Sequence, residues 1–149
     1  MRQRAFTLLE IMIVVAVIGV VAAIAIPSLF SATKLGRETS AISSLDTLHK
    51  SGSMYFTRYN TFPSALADMG PAGTKYIDAS LASSDRSGFD FIYTRTGSAT
   101  YTCYAIPQSD AIGTRSFYID QTGVIRCKDG IVEASGGSGW TELANYGRE

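Results

Sequence analysis

Polar side chains almost vanish between Phe6 and Ile26, where the run FTLLEIMIVVAVIGVVAAIAI carries a single charge, Glu10. Wound as an α-helix rising about 1.5 Å per residue, this run covers roughly 30 Å, the hydrocarbon thickness of a bilayer, so it is long enough to span one. Beyond Pro27 the apolar positions thin out and become periodic. Leu35, Ile42, Leu45, Leu48, Gly52, Tyr55 and Tyr59 recur every three to four residues, with Lys34, Arg37, Glu38, Asp46 and Lys50 mostly between them. That spacing predicts that the helix continues as an amphipathic stalk. It should end near Tyr59, because Asn60-Thr61-Phe62-Pro63 is a breaker and helices stop at or before the residue preceding proline.

Downstream the period changes. A short helical piece that Ser64 could cap and Gly70 could end is followed, from Pro71 to Gly88, by small and polar residues that read as a surface loop. Phe89, Phe91 and Tyr93 then alternate with polar residues, Gly97-Ser98 makes a turn, and Tyr101, Cys103 and Ala105 alternate again, which predicts a hairpin. A second hairpin is expected from Phe117-Tyr118-Ile119 and Val124-Ile125-Arg126 around the turn-rich Asp120-Gln121-Thr122-Gly123. A four-stranded antiparallel meander has an apolar face that needs a cover, and the stripe of the stalk is the only long element able to supply it. The expected fold is therefore α+β, a long N-terminal helix packed on a four-stranded antiparallel sheet. Its parts are residues 1–5, a short leader; 6–27, a membrane-spanning helix; 28–59, the amphipathic stalk; and 60–149, loop and sheet. Trp140 should dock onto the head, and the glycine-rich run Ser135 to Gly139 before it should behave as a flexible linker.

Charge and composition narrow the functions. Lysine plus arginine and aspartate plus glutamate both total 13 and are scattered, so no basic stripe points to nucleic acid. Arg2 and Arg4 form the basic flank that stays cytoplasmic, which places the C-terminal part on the far side of the membrane, where thiols can oxidise. One disulfide between Cys103 and Cys127 is the favoured reading. In a simple meander a strand separates the two, so direct bonding demands a favourable edge or twist. Closing a loop of about 25 residues would stabilise the head by roughly 3 to 4 kcal/mol.

Enzymatic chemistry finds little footing. His49 is the only histidine and lies on the stalk, no GxSxG elbow or CxxC pair occurs, and no metal or other cofactor is expected. Asp120 beside a glycine is explained by a hairpin turn and falls short of a calcium loop. Tyr55, Phe56, Tyr59 and Phe62 read as core packing, and His49 as a buried or interfacial side chain.

Glu10 is the residue that a plain signal anchor does not explain. A carboxylate near the bilayer interior costs at least a few kcal/mol unless something neutralises it. If the chain is cut between Ala5 and Phe6, the new amino group stands four residues from Glu10 and can pair with it, within one helix or between neighbours.

The residues themselves, Ala5-Phe6-Thr7-Leu8-Leu9-Glu10, then an apolar run with Gly19, then Ala22-Ala23-Ile24-Ala25-Ile26-Pro27, closely resemble the N-terminus of the type IV pilin family. The close likeness covers about the first fifth of the chain, and the rest is similar in layout only. The resemblance implies that a prepilin peptidase removes residues 1–5 in the cytoplasm and methylates Phe6. The apolar helix then holds the subunit in the inner membrane until it joins a filament. Glu10 matches the glutamate used for methylation and for docking beside the N-terminal amine of an adjacent subunit. Gly19 and Pro27 match the positions between which the helix often loosens in filaments. Ala5 departs from the family, which usually has glycine before the cut. The family often staples its C-terminal region with a disulfide, which here would join Cys103 and Cys127.

By resemblance the chain is a non-enzymatic structural subunit, a major pilin that polymerises into a homo-oligomeric type IV pilus with the help of an assembly machinery. The mature form would lie in an extracellular or periplasmic filament. The alternatives are a pseudopilin of a type II secretion system and a minor, tip-located pilin that binds through the Pro71–Gly88 loop or the tail. Major pseudopilins usually carry a calcium site and no C-terminal disulfide, which favours the pilus.

Overall fold

The computed structural model describes residues 7–132, 134 and 139–143. Helix α1 (Leu8–Tyr59) opens the chain and runs through Pro27 as an α-helix. The chain divides after Thr33 into two units, each with its own character.

Among its described residues the first unit is α1 up to Thr33, preceded by Thr7. Every described residue in it is exposed except Ala22, which is half-buried. Ile, Val and Ala dominate the run, and Glu10 is the one charge in the helix before Lys34. Two of its exposed hydroxyls bond back to the helix: Thr33 Oγ1 donates to the Phe30 carbonyl at 2.8 Å and Ser31 Oγ to the Pro27 carbonyl at 3.3 Å.

In the second unit one stripe of α1 is buried, at Glu38, Ala41, Ser44, Leu45, Leu48, Ser51 and Gly52. Two residues depart from the amphipathic reading. Leu35, expected on the apolar stripe, is exposed, and Glu38, expected among the polar positions, is buried. Small residues on the stripe let neighbouring chain approach closely, and a Cβ on Gly52 would already stand 3.6 Å from the Phe62 ring. The helix ends as expected at Tyr59. Asn60 adopts φ 55° and its N–H donates to the Phe56 carbonyl at 2.7 Å, a left-handed C-terminal stop that asparagine tolerates well.

A 3-10 turn (Leu66–Met69) follows, ended by Gly70. Its start is held by Asp68, whose carboxylate reaches back to the backbone N–H of Ser64 at 2.8 Å, the Ser64 hydroxyl at 2.6 Å and the Ala65 N–H at 3.0 Å. The stretch expected to be a surface loop is more structured than that. It contains helix α2 (Ala79–Ala82), capped by the Asp78 side chain, and strand β1 (Asp85–Arg86), and it sends Ile77 and Leu81 into the core.

The remaining strands are β2 (Phe89–Arg95), β3 (Tyr101–Pro107), β4 (Arg115–Asp120), β5 (Arg126–Asp129) and β6 (Thr141–Glu142). They form one antiparallel sheet in sequence order, β1-β2-β3-β4-β5-β6. The α+β reading and the meander are therefore correct, and the strand count is six rather than four. β1 and β6 are two residues long, too short to show an alternating pattern. The last strand of the second hairpin also begins later than expected. The Asp120 carboxylate accepts the backbone N–H of Thr122 at 2.9 Å and its hydroxyl, and Gly123 takes φ +76°, so the turn extends beyond Gly123.

One face of the sheet carries Phe89, Phe91, Tyr101, Cys103, Ala105, Phe117, Ile119 and Cys127, which share a single core with Ala41, Leu45 and Leu48 of α1. Burying such side chains contributes about 1.5 to 3 kcal/mol each, so this core is what holds the head together. On the opposite face Trp140 does dock, packing with Tyr104 and Tyr118 at ring-centroid distances of 5.8 and 5.7 Å. Most of the glycine-rich linker lies outside the described residues.

Candidate assembly surface

A helix whose apolar side chains all face outward cannot be a finished structure in water. Leu8, Leu9, Ile11, Met12, Ile13, Val17, Ile18 and Ile24 are among those exposed, and contiguous apolar surface on this scale marks contact with a membrane or with another protein. Among the described residues α1 is the one helix long and apolar enough to cross a membrane.

Glu10 stands in the first turn of this helix, exposed, where the unsatisfied N–H groups favour a negative charge. Thr7 opens the turn: its carbonyl accepts the Glu10 N–H at 3.1 Å and its hydroxyl accepts the same N–H at 3.2 Å. This capping role of Thr7 escaped the sequence reading, although threonine three residues before a glutamate is the recognisable signal. Ala5 and Phe6 lie outside the described residues.

Further along, a Cβ on Gly19 would meet nothing within 4 Å. Among the described residues its lack of a side chain thus serves no packing, and it leaves a low point on the helix surface that an outside helix could approach. Pro27 lies inside α1 and cannot donate the hydrogen bond that the helix would direct to the Ala23 carbonyl, a local weakness in an otherwise regular ladder. Ala25, Ile26, Ser28, Leu29 and Ala32 line a shallow, largely apolar groove around that point.

The head presents a different kind of constellation, and sequence reading missed its centre. Glu38 is buried on α1, and its carboxylate is fully engaged. One oxygen accepts the Thr114 N–H at 2.8 Å and hydroxyl at 3.0 Å, and the other accepts Arg115 Nε at 2.9 Å and Nη2 at 2.6 Å. Burial works to raise the carboxyl's pKa, but the bonds from Thr114 and Arg115 outweigh it and hold the group below its ordinary value. Asp120 follows the same balance, with burial opposed by Thr122 and by Arg126 at 3.0 Å. A lone acid between apolar positions reads as solvent-facing in a periodic pattern, and only its distant partners at the start of β4 explain it.

His49 is half-buried, its Nδ1 2.8 Å from the Tyr101 hydroxyl. Gly123 covers its ring so closely that a Cβ there would stand 2.8 Å from Nε2, while its positive φ also favours glycine. The histidine is thus a packed structural side chain, as expected.

The expected disulfide is not present among the described residues: Cys103 and Cys127 are both free and buried. The register explains this. Cys103 on β3 faces Ile119 of β4, whereas Cys127 on β5 faces Phe117 of β4. Two strand spacings of about 4.8 Å, with an offset along the strands, exceed the ~7 Å that a disulfide can bridge. Burial pushes both thiols up, away from the reactive thiolate form.

Residues 1–26 match the family described as the prokaryotic N-terminal methylation motif. The chain carries this motif. The chain is 36% identical over 78 residues to the type IV major pilin protein PilA of Myxococcus xanthus, a match covering 50% of the chain and 36% of that protein. It is also similar to type II secretion system core protein G of Pectobacterium carotovorum, with 38% identity over 63 residues, 42% of the chain and 40% of that protein. Core protein G of Dickeya chrysanthemi is 33% identical over 69 residues, 46% of the chain and 45% of that protein. The chain thus spans less than half the length of the curated relatives it matches.

Proposed function

We propose that the chain is the structural subunit of a filament of the type IV pilus kind, with residues 6–27 as its membrane anchor before assembly and its packing core afterwards. The observation that carries this reading is the exposed apolar length of α1 with one acid, Glu10, in its first turn, on a segment that matches the methylation motif. The leader, residues 1–5, is removed between Ala5 and Phe6 by a prepilin peptidase, and the new N-terminus of Phe6 is methylated. Before assembly the precursor is held in the inner membrane by one span. In the filament Glu10 neutralises the N-terminal amine of a neighbouring copy, while Gly19 and Pro27 give the helix its points of close approach and local loosening. The role is structural, and no cofactor is called for.

The similarity to core protein G supports a second reading, a pseudopilin whose filament serves secretion. The loss of the disulfide removes one argument for the pilus over this alternative. Intact mass and N-terminal sequencing of the protein in a sheared cell-surface fraction, beside the membrane fraction of the same cells, test both. A chain starting at methylated Phe6 and enriched in the sheared fraction is expected for the pilus. Methylated Phe6 confined to the envelope would transfer the assignment to the pseudopilus. A chain that keeps Met1 to Ala5 in every fraction would overturn both.

A further inference from the structure

The head carries a polar cleft that the assembly surface does not use. It is lined by Tyr55, Arg58, Tyr59, Asp68, Gly73 and Thr74 and encloses about 450 Å³, within the range of ligand clefts. We propose that this cleft binds an uncharged saccharide ring.

Its walls are fixed before any ligand arrives. Asp68 Oδ2 takes three donors from Ser64 and Ala65, which orients the carboxylate, while Oδ1 accepts from none of the described residues. The backbone from 68 to 77 folds on itself: Thr74 donates its N–H to the Asp68 carbonyl at 2.9 Å, Lys75 to Gly70 at 3.1 Å, and Tyr76 and Ile77 to Met69 at 2.8 and 3.0 Å. Gly73 lies so close that a Cβ would stand 2.0 Å from the Asp68 carbonyl oxygen. Ile77, buried in the core, ties this wall to the head. The facing wall is the last turn of α1, where Tyr55 and Tyr59 pack with centroids 4.5 Å apart and the Arg58 guanidinium lies 5.4 Å from the centre of the Tyr59 ring. Rigid walls of this sort lower the ordering cost of binding.

The chemistry of the lining selects the ligand. Arg58, which also bonds the Tyr76 side chain, offers donors only, Asp68 acceptors only, and the Tyr55 and Tyr59 hydroxyls both, while the Thr74 hydroxyl, donating to the Asp68 carbonyl at 3.3 Å, keeps its lone pairs as acceptors. A polyol supplies matching donors and acceptors around one ring and an apolar C–H face for tyrosine. An anion would meet the Asp68 carboxylate and a cation the Arg58 guanidinium, so neither net charge is favoured. A purely apolar ligand would leave these polar groups without partners.

This inference is independent of the filament reading and is tested on the full chain in detergent micelles. Methyl glucoside, methyl galactoside and N-acetylglucosamine are titrated while the tyrosine side-chain and Thr74 amide resonances are followed, with sulfate and spermidine as charged controls. Saturable shifts at Tyr59 and Thr74 with at least one sugar are expected. Tyr59→Ala and Arg58→Gln, both at exposed positions, should each weaken binding about tenfold or more while the remaining head spectrum stays unchanged. No saturable shift with any of the three sugars, tighter binding of either charged control, or equal sugar binding by both variants would overturn the proposal.

Discussion

Helix α1 obeys two rules along its length. Up to Thr33 its apolar side chains are exposed on every side, whereas from Lys34 on it hides one narrow stripe and shows polar residues elsewhere. The second part is satisfied by its own chain, with Leu45 and Leu48 against the sheet and Glu38 held by Thr114 and Arg115. In the first part the described apolar side chains are left exposed, as a surface that an outside neighbour would cover. What separates the two is the identity of the stabilising neighbour, since both lie on one α-helix.

The sharpest break in this contrast is Glu10→Ala. Membrane insertion should persist, because removing a charge from an apolar span lowers its cost, while filaments in the sheared fraction should be lost. Normal filaments from that variant would refute the proposed pairing with a neighbour's amine. Next come matched truncations. Leu45→Ala should destabilise the head by about 2 to 5 kcal/mol, whereas Ile18→Ala should change head unfolding by less than about 0.5 kcal/mol, both read by denaturant unfolding in micelles. Equal effects would mean that the first unit supports the head after all.

A third test uses pH. Glu38 has its folded pKa below the ordinary 4.5, so the stability it contributes is complete above 4.5 and is lost as pH falls through the lower folded value. Asp120 acts in the same direction below 3.8. Head stability should therefore be level through the upper range and decline under acid, and Glu38→Gln should flatten part of that decline. A variant with an unchanged acid profile would show that the carboxylate is not the sensitive group. The smallest effect is the absence of one: reductant should leave the unfolding midpoint unchanged, and both thiols should react with iodoacetamide only after unfolding.

Much of this contrast was legible in advance. An unbroken apolar run, its basic flank and Glu10 announce themselves locally, as do the breaker at Asn60 to Pro63 and the alternation of Phe89, Phe91 and Tyr93. What escaped depends on distant partners. Glu38 is buried because Thr114 and Arg115, 76 and 77 residues away, satisfy it, and no periodicity shows that. Ile77 and Leu81 sit among small polar residues that signal a loop, yet each fills a gap in the core. The disulfide was suggested by compartment and count, and register overrules both. At the assembly surface Thr7 and Glu10 were within reach of sequence, whereas the openness of the chain around Gly19 required coordinates.

The strict sequence order of the sheet bears on how the head is made. With every strand paired to its neighbour in the chain, the sheet can be laid down hairpin by hairpin, each step closing a short loop at small entropic cost. α1 precedes all of the strands, so the surface on which they gather can exist before they arrive. The Glu38 contacts with Thr114 and Arg115 join residues 76 and 77 positions apart, so they close a far longer loop and carry a larger entropic cost than any one hairpin.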